Sequence, residues 1–389
     1  MAVNTMSIEQ AYTLINAVHR QATGQDNIQA TDLSSFISVA QSTLQCGYEA
    51  TLNAISQVIT RTIISVRPYN AKFKGLEMSA DRWGGILRKI NFADSLALAD
   101  PTYQLVDGQS VDQYTVKKPN VLETRYVGSN VYKGKYTIFT RQLDVAFSSP
   151  EEFANFMSGL MTHFSNELEQ WLENLKRTIV SNMIGAKNII GGEGKVLLLT
   201  EYNTLTGNSF TKQDIMKPAN FKPFMQWVYT RVSEVSRLMS ERSQLFQQVI
   251  TNKPIMRHTP VEDQRVYMLA NFLDAMDAQV LADTYHDNFL RYADVEPVSY
   301  WQAIKSPDSV SVTPVYADNT GAIVTGAAQV IDDVVGIIFD RDAMGYNLYQ
   351  DSLETSPYNA DGQYYNLFHH VRVQLQNDVT EKACIFLLA

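Results

Sequence analysis

Four short stretches of this chain hold residues whose types and spacing could do chemistry. Gly192-Glu193-Gly194-Lys195 sets a lysine behind closely spaced glycines, the composition of a loop that cradles phosphate. Val196 follows the lysine where serine or threonine would hold magnesium, and Ile189 occupies the position of the first glycine. The stretch also follows a helical pattern and precedes a strand, the reverse of the order that aims a helix N-terminus at phosphate. It reads as a helix-to-strand turn. His369-His370 is the only adjacent histidine pair. On a strand the two rings point to opposite faces and do not readily share a metal. Asp340-Arg341-Asp342 places two carboxylates on one face of an extended segment, the arrangement of a metal or acid–base pair. With Arg341 between them they read as a solvated strand-end turn. Lys117, Lys118, Arg125, Lys133, Lys135 and Arg141 are interleaved with Tyr126, Tyr132 and Tyr136, a pattern that binds nucleic acid. The chain as a whole carries a formal charge of −9, so an interface arm is the better reading.

Other catalytic signatures are missing. The two cysteines, Cys46 and Cys384, have no CxxC spacing, and His19, His163, His258 and His286 are scattered. No Gly-x-Ser-x-Gly elbow or His-Glu-x-x-His motif occurs. The sequence therefore predicts no catalytic residue, no metal site and no cofactor. It has no apolar run long enough for a membrane span and no signal-peptide pattern at its start. A length of 389 residues with 45% hydrophobic content predicts two or three domains with real cores.

The elements that would position these residues follow from periodicity. Ser7 caps a helical stripe over 7–22, and a second stripe over 32–65 breaks near Gly47. Few charges fall there, which suits an arm lying against other chains. From Val66 the chain turns extended at Pro68. Residues 66–126 form a polar excursion with a hairpin-like base, better suited to binding than to burying itself. Ser149-Pro150-Glu151-Glu152 then starts an amphipathic helix of more than thirty residues, with Gly185 as its expected end. Val196-Leu197-Leu198-Leu199 reads as a short buried strand, the stripe from Phe221 to Met239 as a second helix, Arg265–Ala270 as a strand, and Ala275–Tyr285 as a helix. Val334–Phe339, Tyr365–Leu375 and Ala383–Leu388 read as closing strands.

Charge is segregated along the chain. Residues 61–90 hold seven basic and two acidic residues, and residues 256–300 hold three basic and eight acidic. These are either two independently solvated faces or complementary surfaces that meet between copies. The second reading nominates Arg67, Lys72, Lys74, Arg82, Trp83, Arg88, Lys89, Lys117 and Lys118 against Glu262, Asp263, Asp274 and Asp277.

Three stretches carry a family resemblance: Lys72-Phe73-Lys74-Gly75 with Trp83-Gly84-Gly85-Ile86, the helix from Pro150 to Met183, and the series from Val335 to Leu388. A segment beginning His258-Thr259-Pro260 supports them. In this order they resemble tailed-bacteriophage major capsid proteins with the Hong Kong phage (HK97-like) fold, closest in texture to short-tailed phages of Gram-positive hosts. The resemblance implies an α+β fold: an N-terminal helical arm (1–65), an extended β-hairpin loop (66–126), a peripheral domain with a long spine helix (127–190 and 331–389), and an axial domain (191–330). It implies a structural shell protein that assembles with itself as pentamers and hexamers. A separate scaffolding protein, a portal protein and non-specific contact with packaged double-stranded DNA would be its partners, with no membrane. It would be found in the virion capsid, assembled in the host cytoplasm. An encapsulin-type nanocompartment shell and a soluble α/β enzyme are the alternatives.

Overall fold

The structure is a computed structural model that describes residues 7–61, 72–73, 75–78, 86–93, 105–110, 114, 116, 118, 120–128, 130–251, 253–280 and 294–389. Three helices come first: α1 (Ile8–Thr23), α2 (Leu33–Gln45) and α3 (Tyr48–Arg61). Ser7 and Asp32 cap the first two through their side-chain oxygens. Strands β1 (Ile86–Phe92) and β2 (Val121–Val127) pair antiparallel at the base of the excursion. Next come β3 (Asn130–Phe139), α4 (Thr140–Ala146) and the 41-residue α5 (Pro150–Ile190).

Helix α5 is the spine of the molecule, roughly 60 Å long at 1.5 Å per residue. Ser149 accepts the Glu152 N–H at its start and Pro150 occupies the first turn, as the sequence predicts. The helix does not stop at Gly185. That glycine is internal because β7 (Val310–Val312) and the following residues pack onto it: an added Cβ would lie 2.5 Å from Val312. The helix ends at Gly191, with φ of 65°.

The first half of α5, through Phe153, Met157, Leu160 and Phe164, shares a core with α1–α3, Ile138 and Leu367. Much of the apolar stripe of the N-terminal helices is thus buried against the chain's own spine, while Ile8, Leu33 and Ile37 stay exposed. The second half, through Ile179, Val180, Met183 and Ile184, enters a second core with Tyr267, Trp301, Ile337 and Ile385.

After α5 come β4 (Lys195–Leu197), α6 (Leu198–Thr206), α7 (Lys212–Ile215), α8 (Pro218–Ser240), β5 (Gln264–Leu269), α9 (Ala270–Val280) and β6 (Asp294–Val298). The expected strand at 196–199 is cut short, because Leu198 begins a helix. The part of the expected 275–285 helix beyond Val280 lies outside the described residues. Four short strands, β7, β8 (Val315–Ala317), β9 (Ile323–Thr325) and β10 (Gln329–Ile331), occupy the turn-rich region. Strands β11 (Val334–Asp340), β12 (Met344–Thr355), β13 (Tyr364–Asn377) and β14 (Ala383–Leu387) close the fold.

Two larger sheets stand beside the two-stranded pairs β1-β2, β7-β10 and β8-β9. One has the order β12-β13-β3; the other, mixed, has the order β4-β14-β11-β5-β6. The mixed sheet is covered on both faces. Ile337, Phe339, Ile385 and Leu387 face the spine core, while Ile338, Cys384 and Phe386 face α6 and α8. Burial on both faces is why β11 and β14 read as unbroken apolar runs. The sequence grouped 331–389 with the peripheral segment, yet β11 and β14 pair with β5 and β4 from 191–330. One sheet crosses the boundary drawn at 331.

Candidate assembly surface

The alternation of β1 and β2 sorts the hairpin base into two faces. Cross-strand partners share a face, so Arg88 with Arg125, Ile90 with Glu123, and Phe92 with Val121 point one way. Lys89 with Thr124 and Asn91 with Leu122 point the other. The Arg88 face is open: Ile90 is 44% exposed, Phe92 65% and Val127 71%. The Lys89 face is turned toward the body across a cavity of about 600 Å³, bounded by α5, by the β8–β9 hairpin and by the end of β13.

Polar side chains attach the hairpin base to the body. Lys253 Nζ donates to Val121 O at 2.8 Å, and Gln374 Nε2 donates to Tyr126 O. Lys89 reaches into the turn between β13 and β14. There its Nζ lies 3.1 Å from Asp378 and also contacts Glu381, which Arg257 engages from the other side. Thr380 completes the cluster, donating its hydroxyl to Asp378 at 2.6 Å. Asp378 and Glu381 are 4% and 5% exposed.

The protonation of this cluster follows from burial and pairing. Burial opposes the charge on Lys89, but Asp378 and Glu381 outweigh it and hold its ammonium above the usual lysine value. Burial works against the Asp378 carboxylate too, and Lys89 and Thr380 override it, leaving its pKa lowered. For Glu381 burial prevails over Lys89 and Arg257, and its pKa is raised. Burial, with the nearby Asp378 carboxylate, pushes the Tyr126 phenol well above its ordinary range.

The upstream end of the excursion attaches differently. Phe73 and Leu76 are each 1% exposed and belong to the spine core. The Phe73 ring meets Tyr267 edge-on at 5.1 Å, tilts against Trp301 at 6.5 Å, and lies beneath the Arg177 guanidinium at 5.1 Å. Its backbone N–H donates to Glu296 at 2.7 Å. Residues 76–78 then bridge β12, with Tyr346 N donating to Leu76 O and Met78 N to Tyr346 O, both at 2.9 Å. Gly345 permits this approach, since a Cβ there would lie 2.9 Å from Leu76 O. This end of the excursion is thus part of the core, contrary to its reading as a segment that buries little.

Among the described residues, no ion pair joins one nominated interface residue to another. Arg67, Lys74, Arg82, Trp83 and Lys117 lie outside the described residues, as does the side chain of Asp277. Lys72, Arg88, Lys118, Glu262 and Asp274 are exposed. Arg88 pairs with Glu123 at 3.2 Å and Asp263 with Arg341 at 3.1 Å. Lys89 must be removed from the outward set, because strand alternation turns it into the ion cluster of its own chain. Asp378, Glu381, Arg257 and Phe73 were not nominated. The polar stretch Asn377–Lys382 between two apolar strands was the available signal for Asp378 and Glu381.

Elsewhere the reactive groups are held structurally. His369 Nε2 contacts Asp351 at 2.7 Å, while Asp340 accepts the Thr259 hydroxyl at 2.6 Å. Burial lowers Lys187 and Lys382 to about 8, but both ammonium groups are occupied by backbone carbonyls. The buried Cys384 thiol is pushed up to about 12. Among the described residues no group of three or more His, Cys, Asp or Glu side chains is placed to hold a metal ion. No described helix is long and apolar enough to cross a membrane.

Comparison with known proteins gives this geometry a context. A profile of the family described as Phi29-like phage major capsid protein matches residues 15–387. The capsid structure of Staphylococcus phage Andhra is similar over 84% of this chain and 87% of that chain, at 12% identity and a TM-score of 0.54. A chain from the structure of the head fiber and inner core protein gp22 of native bacteriophage P68 is similar over the same shares, at 11% identity and a TM-score of 0.57. At such identities the likeness is one of fold. No curated protein matches the sequence.

Proposed function

We propose, from the premise that this chain belongs to the Phi29-like phage major capsid protein family, that the open face of its β1–β2 hairpin is a contact between neighbouring subunits of the shell. The protein is a phage major capsid protein with the HK97-like fold, and it self-assembles as part of the virion. Its role is structural. The observation that carries the contact reading is the exposure of Ile90, Phe92, Val121 and Val127 on one face of a hairpin whose opposite face is turned toward the body and tied to it by Lys89. A two-stranded ribbon is marginal by itself in water, and a neighbouring subunit laid over that row would bury what one copy leaves open.

The remaining parts of the reading are consistent with this contact. Heterologous contacts that close rings would give pentamers and hexamers. Obligate interfaces of this kind bury ~2,000–5,000 Å². The exposed Arg88 and Lys118 on the loop and Glu262 and Asp274 on the acidic segment supply charges that fix register between copies. An acidic chain leaves packaged double-stranded DNA to make only non-specific contact. Assembly would take place in the host cytoplasm with a scaffolding protein and a portal protein.

The test is the paired substitution Ile90→Asp with Phe92→Asp. Both side chains are exposed, so the subunit should fold as before, with an unchanged thermal midpoint. Co-expressed with its assembly partners and viewed by negative-stain electron microscopy, it should give no closed shells. Closed shells at the wild-type yield would overturn the contact assignment.

A further inference from the structure

We propose that the turn between β13 and β14, through Asp378 and Glu381, is the positioning socket that sets the direction of the extended hairpin, with Lys89 as the prong seated in it. The inference rests on the reading that the hairpin reaches a neighbouring subunit, and it deepens that reading by naming what aims it.

Three observations converge on the socket. First, the inner face of the hairpin base, through Leu122, Thr124 and Tyr126, stands over a cavity of about 600 Å³. Second, Gln374 and Lys253 hold β2, while among the described residues Lys89 is the one whose ion pairs tie β1 to the body. Third, the receiving carboxylates are themselves rigid. Asp378 accepts both the N–H and the hydroxyl of Thr380, at 3.0 and 2.6 Å, and its own N–H donates to Ala343 O at 2.6 Å. Glu381 is held by Arg257, whose Nη2 lies 3.3 Å from the Thr380 hydroxyl. The turn joins the last two strands of the fold, one from each main sheet, so its position is tied to both cores.

Charge explains why one lysine suffices. Lys89 and Arg257 face Asp378 and Glu381, two cations against two anions, with the Tyr126 phenol beside Asp378 and the buried Lys187 ammonium within electrostatic reach. A buried pair that loses one partner leaves an uncompensated charge, so seating and balance are coupled. A lysine with a four-carbon stem spans from the strand to the turn without closing the cavity beneath it.

The test is hydrogen exchange read by mass spectrometry on the full-length chain. The variant is Lys89→Met with Glu381→Gln, which removes one cation and one anion together and keeps the remaining pair balanced. Amides of 86–92 and 121–127 should lose protection roughly tenfold or more while those of β11 and β14 keep theirs. Lys89→Arg, which keeps the charge, should retain most of the protection. If the paired variant fails to fold, Asp378→Asn alone, a neutral change of nearly equal size, reads the same amides. Hairpin protection equal to wild type in the neutralised variant would overturn the socket, whatever the shells look like. Loosened hairpins with normal shells by electron microscopy would leave the socket standing and remove the hairpin from the subunit contact. Loosened hairpins with malformed or absent shells support both.

Discussion

The two attachments of the extended loop use opposite physics. At its upstream end Phe73 is a plug, an aromatic ring among Tyr267, Trp301 and Arg177, held by shape and by dispersion contacts. At its hairpin base Lys89 is a prong in a charged socket, with a cavity beside it. A plug of this kind fails when volume is removed. A socket tolerates a change of shape that keeps charge and fails when one charge is lost. The loop is thus anchored by apolar packing where it leaves the core and by charge at its hairpin base.

Removing the plug should have the largest effect. Phe73→Ala empties a fully buried ring site and should cost ~3–5 kcal/mol of stability in denaturant unfolding. Phe73→Leu, which keeps much of the volume, should cost less than half of that. If Phe73→Ala cost under ~1 kcal/mol, the upstream end would be surface-like and the contrast would collapse.

Loss of the prong comes next. Lys89→Met alone strands two carboxylates against one guanidinium. Its side chain is 21% exposed, which admits some water and reduces the penalty below that of a fully buried pair, to ~2–3 kcal/mol. The paired change with Glu381→Gln should cost less than the single one, and a double-mutant cycle should show a coupling well above additivity. No coupling would mean that the two side chains do not share the socket.

Acidity separates the two anchors further. Asp378 has a depressed folded pKa, so the stability it contributes is present above the ordinary aspartate value and lost as pH falls through the folded one. Glu381 has a raised folded pKa and works in the opposite sense, favouring the folded state as it takes up a proton. Global stability should therefore hold in mild acid and fall only below the ordinary aspartate range, whereas the Lys89 contact weakens as Glu381 takes up its proton. Lys89, raised, holds its contribution until pH climbs past the ordinary lysine value. Exchange of the β11 and β14 amides across this pH range checks these signs; a loss of their protection in mild acid would contradict them.

The sequence made one class of feature legible and hid another, for a physical reason. The spine helix announced itself through Ser149-Pro150 and a wide apolar stripe, and β11 and β14 through unbroken apolar runs. Each is a local pattern that burial imposes on consecutive residues. The plug and the socket are not local. Phe73 meets Glu296 across 223 positions, and Lys89 meets Asp378 across 289. A count of charge over 61–90 makes Lys89 one basic residue among seven, whereas strand alternation, applied to Arg88 and Lys89, sends one of them inward. Gly185 misled for the same reason. It resembled a helix end because the strand that requires its missing Cβ lies more than a hundred residues away.

Arg88 offers the smallest effect and the sharpest control. It sits beside Lys89 on the same strand and also contacts an acid, Glu123 at 3.2 Å, but on the open face, where its side chain is 56% exposed. Water screens such a pair, and holding two long side chains in place offsets what attraction remains. Arg88→Ala should therefore leave the thermal midpoint of the free subunit and the exchange of 86–92 unchanged. Neighbours one position apart would then differ because alternation puts one in the socket and the other on the contact face. If Arg88→Ala loosened the hairpin as much as Lys89→Met does, charge near the hairpin in general, and not the buried socket, would be what holds it. If it left the subunit unaltered but lowered the yield of closed shells, the outward face would gain a register-setting charge, and the division of labour between the two faces of β1 would be complete.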